Sequence, residues 1–216
     1  MTSAHDALVA HLLAHSVRTG DFTLKSGKKS AWFIDAKQTT CRADGMLLVA
    51  DAALEVIPDD VTAIGGLTMG ADAVAFGIAA IAATRGRELR SFSVRKEVKD
   101  HGGGGRIAGA LEPGDKVVIT EDTVTRGTSL MEAVDVVRQF GADPVLVTVI
   151  VDRGGTCAAM CEAAGVRYAR YFPGSSVLAG IATWASCARA SFIFESSDRS
   201  SHAKPDSVDF TALSSR

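Results

Sequence analysis

The period of apolar and polar positions changes several times along this chain, and each change marks an element. Leu8, Leu12 and Leu13 share one face at helical spacing, which predicts an opening amphipathic helix over 5–17. Residues 22–38 lose that period. They read as a polar turn, Lys25-Ser26-Gly27-Lys28-Lys29-Ser30, and then a short strand over 32–35. A second helix is predicted over 43–57, ending before Pro58. Beyond it, short apolar runs alternate with helical patterns. Strands are predicted over 61–66, 91–95, 116–121, 145–152 and 166–171, and helices over 70–84, 128–140 and 155–164. Strand–helix alternation of this kind predicts an α/β fold, a parallel sheet covered on both faces.

Two segments fall outside that pattern. Residues 96–109 carry charges and then four glycines, Gly102 to Gly105, which reads as a long loop with a function. Residues 196–216 are rich in Ser, Asp and Lys and poor in apolar side chains, so they are expected to form a disordered tail. With 216 residues, 47% of them apolar, the rest can build one sizeable domain. A net charge of −2 supplies no general field for nucleic acid, so an anionic ligand needs a local constellation. No apolar stretch is long enough to span a bilayer, and the first residues lack a basic segment followed by an apolar run. A cytoplasmic protein without membrane or nucleic-acid partners is the expectation. Cys157 and Cys161 lie four apart, but no other Cys or His is close in sequence, so reduced thiols are expected rather than a metal site.

The most informative stretch runs from Val117 to Ser129. An apolar strand delivers two carboxylates, Glu121 and Asp122, and a turn rich in hydroxyls and glycine then leads into a helix. The C-terminal edge of a parallel sheet is where such folds bind ligands. A helix start offers unpaired N–H groups to a phosphate, and Gly127 lets the backbone come close. Carboxylates do not suit phosphate, but they suit ribose hydroxyls or positive charge growing on a sugar ring. Thr128 or Ser129 could instead cap the helix while the acids face water. The two acids at the end of a buried strand favour the ligand reading. The Gly-Lys-Ser/Thr ending of a P-loop is absent.

This stretch resembles the phosphoribosyl pyrophosphate motif of the type I phosphoribosyltransferases. The resemblance implies that Glu121, Asp122, Thr123, Val124, Thr125, Arg126, Gly127, Thr128 and Ser129 line that substrate's site, with Asp122 catalytic and Arg126 at a variable position.

A second stretch, Arg95-Lys96-Glu97-Val98-Lys99-Asp100-His101, packs four potentially cationic groups into seven residues before the glycines. Arg supplies a fork, Lys a compact charge and His an adjustable proton, all suited to a diphosphate. A glycine hinge would let the loop close and reopen. A plain solvated charge run is the alternative. Arg95, Lys96, Lys99 and His101 are similar to the catalytic loop of the orotate-specific members of the family. That implies catalytic roles for Lys99 and His101, and a homodimer in which loop 95–105 reaches the neighbouring subunit's site.

Three further segments resemble the same family. Phe22 to Gly27 with Ser30 to Phe33 implies a ligand contact at Lys25 and an orotate-pocket wall at Phe33, with core packing as the alternative for Phe33. Asp152-Arg153 implies an orotate-carboxylate contact at Arg153, with Thr125 nearby, against the alternative of a surface Asp–Arg pair. Gly65 to Ala71 resembles the loop that wraps pyrophosphate, with Met69 where some members have Lys.

The resemblance covers about 5–194. It implies a Rossmann-like fold, a domain over 1–195 and a small hood drawn largely from 1–40. The implied reaction joins orotate to the ribose 5-phosphate of phosphoribosyl pyrophosphate in de novo pyrimidine (UMP) synthesis. Mg²⁺ would be the cofactor, held mainly by substrate oxygens and not by protein ligands. A purine-base phosphoribosyltransferase and a non-catalytic phosphoribosyl pyrophosphate sensor are the rival expectations.

Overall fold

The computed structural model describes residues 4–23, 27, 29–98 and 105–171. The chain opens with α1 (Ala4–His15). It then turns into an antiparallel hairpin, β1 (Val17–Thr23) and β2 (Lys29–Ile34), in which Val17 pairs with Ile34. The expected helix over 5–17 therefore stops short. Of β1 only Val17 is buried, so the strand lacks the alternation that would have revealed it. A one-turn helix, α2 (Lys37–Thr40), also without periodic signature, leads into α3 (Ala43–Val56).

The remaining elements alternate as expected: β3 (Ala63–Leu67), α4 (Asp72–Thr84) and β4 (Arg90–Val94). Then follow β5 (Ile107–Gly109), β6 (Lys116–Val124) and α5 (Thr128–Phe140). The series closes with β7 (Asp143–Asp152), α6 (Cys157–Ala163) and β8 (Arg167–Arg170). The sheet order is β5-β4-β3-β6-β7-β8. Five strands are parallel, as predicted. The edge strand β5 is not: it runs antiparallel along β4, with Phe92 opposite Gly109. Three residues are too few to show a period, so this strand was hidden in the expected loop 96–109.

Both faces of the sheet are covered. Leu8 and Leu12 of α1, Val49 of α3 and Ile78 of α4 pack with Ile64, Val118, Leu146 and Ile150. On the other face Leu130, Val134 and Val137 of α5 meet Val117, Ile119, Val147 and Val149. Val118 points one way while Val117 and Ile119 point the other, the period of two that a doubly covered strand needs. The chain adds β4 on one side of β3 and returns to place β6 on the other. That reversal opens a crevice between β3 and β6 at their C-terminal ends, where such sheets take ligands.

One polar knot lies inside the first core. Tyr171 is fully buried, and its hydroxyl meets Thr148 Oγ1 at 2.8 Å and Thr120 Oγ1 at 3.2 Å. The two threonines face each other across β6 and β7. Tyr171→Phe should therefore cost about 1–2 kcal/mol, because two buried hydroxyls lose a shared partner. Urea unfolding would show it as a lower midpoint with an unchanged slope, and an unchanged midpoint would refute it.

Candidate active site

The crevice forms because β3 and β6 stop pairing early. Their ladder ends at Gly65 opposite Ile119, while β6 runs on beside β7 as far as Val124 opposite Asp152. The strand was expected to end at 121. Its longer ladder carries Glu121 and Asp122 inside the strand, where both are buried at 7% and 4% exposure.

Two adjacent buried carboxylates need compensation, and the structure supplies it from a place the sequence did not suggest. Lys37, the first residue of α2, forms an ion pair with Asp122 Oδ2 across 85 positions of sequence. Asp122 Oδ1 accepts the Thr123 N–H at 2.6 Å. Burial pulls the Lys37 pKa down, but the bond to Asp122 and the charges of Asp122, Asp35 and Glu121 outweigh it, so the net shift is upward. Burial, and then the Asp122 charge, push Glu121 from an ordinary 4.5 to about 8 against the opposing pull of Lys37 and a Ser129 hydrogen bond. Glu121 is thus mostly a neutral acid at pH 7, while Asp122 is paired with a cation. No local spacing could have identified Lys37.

The turns around the acids are shaped to fit them. A Cβ on Gly70 would overlap Glu121 Oε1, so a side chain in the turn after β3 would force the Glu121 carboxyl to move. That turn is tied down by Thr68 Oγ1 and Ser93 Oγ, which donate to Asp72 at 2.7 and 2.6 Å. Met69, at its tip, is 71% exposed and its peptide bond to Thr68 is cis. After β6, Gly127 takes φ +83° as the residue before α5, and a Cβ there would crowd Cys157 Sγ at 2.9 Å. Neither Thr128 nor Ser129 caps the helix: α5 starts without any side-chain cap. Its first N–H groups therefore remain available to an acceptor.

The other expected residues fall into different settings. Val124 is buried in the second core, and its carbonyl accepts the Arg153 N–H at 2.8 Å. The Thr123 hydroxyl is buried without a partner. Thr125 and Arg126 are exposed, and their carbonyls accept from Thr156 Oγ1 at 3.4 and 3.2 Å. Arg153 follows directly after β7. Its guanidinium lies 4.8 Å from the centre of the Trp32 ring, and burial lowers its pKa. Among the described residues it has no carboxylate partner. Its neighbour Asp152 instead binds the Gly154 and Gly155 N–H groups and the Tyr168 hydroxyl. The alternative of a surface Asp152–Arg153 pair is therefore not what the structure contains.

Phe33 sits 5.6 Å from Phe22 and is 38% exposed. Consecutive residues of a strand point to opposite faces, so β2 gives Arg153 the ring of Trp32 and turns Phe33 away from it. Arg95 and Lys96 begin the loop after β4. The Arg95 N–H donates to the Arg106 carbonyl and Arg106 Nε donates back to the Arg95 carbonyl, both at 2.7 Å, and Arg106 also forms an ion pair with Glu132 of α5. This clamps the loop's stem to the helix that starts at the crevice. Lys25, Lys99 and His101 lie outside the described residues, as do residues 172–216.

Among the described residues, no group of three or more His, Cys, Asp or Glu side chains gathers to hold a metal. Cys41, Cys157 and Cys161 are free thiols. No helix there is long and apolar enough to cross a membrane.

No protein-family model matches the chain. Individual proteins do. The chain is 41% identical over 170 residues to orotate phosphoribosyltransferase of Streptomyces avermitilis, covering 78% of this chain and 93% of that protein. It is 37% identical over 153 residues to orotate phosphoribosyltransferase of Rhodopirellula baltica, covering 68% and 79%. Among solved structures it is similar to Mycobacterium tuberculosis H37Rv orotate phosphoribosyltransferase in complex with 5-phospho-alpha-D-ribosyl 1-diphosphate. The TM-score is 0.69 at 30% identity, over 81% of this chain and 99% of that one. Identity at this level over most of a relative's length, on a sheet whose reversal holds the acid pair, shows that the chain belongs to the orotate phosphoribosyltransferase family.

Proposed function

We propose that this chain transfers the ribose 5-phosphate group of phosphoribosyl pyrophosphate to orotate, giving orotidine 5′-phosphate and pyrophosphate in de novo pyrimidine synthesis. One observation carries the reading. A buried acid pair, an uncapped helix start and a guanidinium without a carboxylate partner among the described residues meet at the C-terminal ends of β6 and β7. They match, in order, ribose hydroxyls, a phosphate and the carboxylate of the base. A purine base has no carboxylate and leaves Arg153 unused, so the orotate reading is preferred.

The reaction is substitution at the ribose C1. The C1–O bond to pyrophosphate breaks, the bond to orotate N1 forms, and the N1 proton is released. The sugar gains positive charge on the way, and Asp122 stands ready to stabilise it. Neutral Glu121 spares the incoming diphosphate a second repulsive charge. Met69 and Gly70 in the turn after β3 and the start of α5 are proposed to supply backbone N–H groups, and Lys25, Arg95, Lys96, Lys99 and His101 are proposed to meet the diphosphate. Mg²⁺ fits as a substrate-borne ion, because Lys37 already engages Asp122 and no group of three or more potential ligands gathers among the described residues. When bound, it would offset charge on the leaving pyrophosphate. Reduced thiols are compatible with action in the cytoplasm, which subcellular fractionation would check.

Steady-state assay tests the reading directly. Turnover should require orotate, phosphoribosyl pyrophosphate and a divalent metal together, and full activity in excess chelator, or with adenine but not orotate, would overturn it. In the same assay Arg153→Ala should raise the KM for orotate about 10- to 100-fold, the worth of a charge-assisted bond, with a smaller effect on phosphoribosyl pyrophosphate.

The acid pair adds a pH signature. Glu121 has a folded pKa of about 8 against an ordinary 4.5, so the folded state binds its proton more tightly than the unfolded state. Its contribution to stability is complete below 4.5 and is lost as pH rises through 8. Glu121→Gln mimics the protonated form. The melting temperature of the variant relative to wild type should therefore climb between pH 6 and pH 9, and a flat difference would contradict the shift.

We also infer a homodimer in which loop 95–105 serves the neighbouring site. Inactive Lys99→Ala and inactive Asp122→Asn chains, mixed under conditions of verified subunit exchange, should recover part of the wild-type activity, because some dimers then hold one site free of both changes. No recovery would mean that the loop serves its own subunit.

A further inference from the structure

We propose that Lys37 is a positioning residue for the sugar site: its ammonium fixes the Asp122 carboxylate in the orientation that meets the ribose hydroxyls. The inference rests on the phosphoribosyl reading above and deepens it.

The geometry is specific. Asp122 is almost out of water: its Oδ1 accepts the Thr123 N–H, its Oδ2 accepts from Lys37 Nζ, and the neighbouring Glu121 carboxyl also hydrogen-bonds to it. The first donor is backbone of the same strand and cannot be varied. Lys37 is the cation that fixes the carboxylate's outer oxygen, and it reaches Asp122 from a different element of the fold.

Lys37 is itself held at both ends. Its own N–H donates to Asp35 Oδ1 at 3.2 Å. The one-turn helix it begins is seated by buried Thr39, whose hydroxyl meets Ser16 Oγ at 2.7 Å and His11 Nδ1 at 3.1 Å. A lysine merely tethering the surface would need none of this. The titratable groups facing it are Asp122, Asp35 and Glu121. No other cation among the described residues pairs with Asp122. A buried carboxylate that loses its only cation must rotate toward water or take up a proton, and either change removes it as a sugar acceptor.

Calorimetry with phosphoribosyl pyrophosphate alone tests the idea without relying on turnover, and wild-type turnover of orotate, scored separately, decides the transferase reading. Lys37→Met keeps the stem and removes the charge. It should weaken phosphoribosyl pyrophosphate binding, and lower kcat/KM, by about 10- to 100-fold. Lys37→Arg, which keeps a donor and the charge, should stay within about threefold of wild type. The decisive comparison is made in an Asp122→Asn background, where Lys37→Met should cost less than about twofold because it acts through Asp122. An equal loss in both backgrounds would mean that Lys37 touches the ligand directly and would overturn the proposal. So would no loss in the wild-type background, or an Arg variant as weak as the Met variant. If Lys37→Met does not fold, Lys37→Gln and Lys37→Arg provide the same comparisons.

Discussion

Two carboxylates side by side in a buried strand constrain everything built around them. Glu121 and Asp122 cannot both be charged out of water without a counter-ion, and the fold resolves this by splitting their roles. Asp122 receives Lys37, while burial and its charged neighbour drive Glu121 toward the neutral acid. The surrounding backbone then has little choice. Glycine at position 70 lets the turn after β3 pass against the Glu121 carboxyl, which a side chain there would displace. Ser129 on the first turn of α5 is drawn to the same carboxyl. Helix α2, too short to be stable alone, must sit where its first residue reaches the strand.

The place of this pair at the C-terminal edge of the sheet comes from topology. Placing β4 and β6 on opposite sides of β3 makes the connections leave in opposite directions. The pairing of β3 with β6 ends at Ile119, and the next residues of β6 lie against the turn that follows β3 instead of a paired strand. The longer ladder with β7 keeps β6 straight through this region and brings Arg153 to the same rim, beside an uncapped α5. A chain with a net charge of −2 thus gathers anion-binding groups locally, without any general positive field. The hairpin β1–β2 completes the rim by laying Trp32 against Arg153. The guanidinium lies over the ring, and among the described residues no carboxylate pairs with it.

The sequence alone determined the order and type of the long elements, because each buries a face with its own period. The strands over 145–152 and 116–121 and the helices over 43–57, 70–84 and 128–140 were legible for that reason. It also determined the acid pair and the glycine turn after it, since adjacent residues on a strand and at a helix start are fixed by local geometry. Short or polar elements such as β1, α2 and β5 carry no usable period, and only tertiary pairing made them regular. Likewise, only the tertiary structure decided that Lys37 meets Asp122, that Trp32 and not Phe33 faces Arg153, and that Asp152 turns to Tyr168 instead of its neighbour. Each is a contact between residues distant in sequence, or a choice between two faces of a strand. Local spacing carries no information about either; it is settled when the sheet closes and the buried charges must find partners.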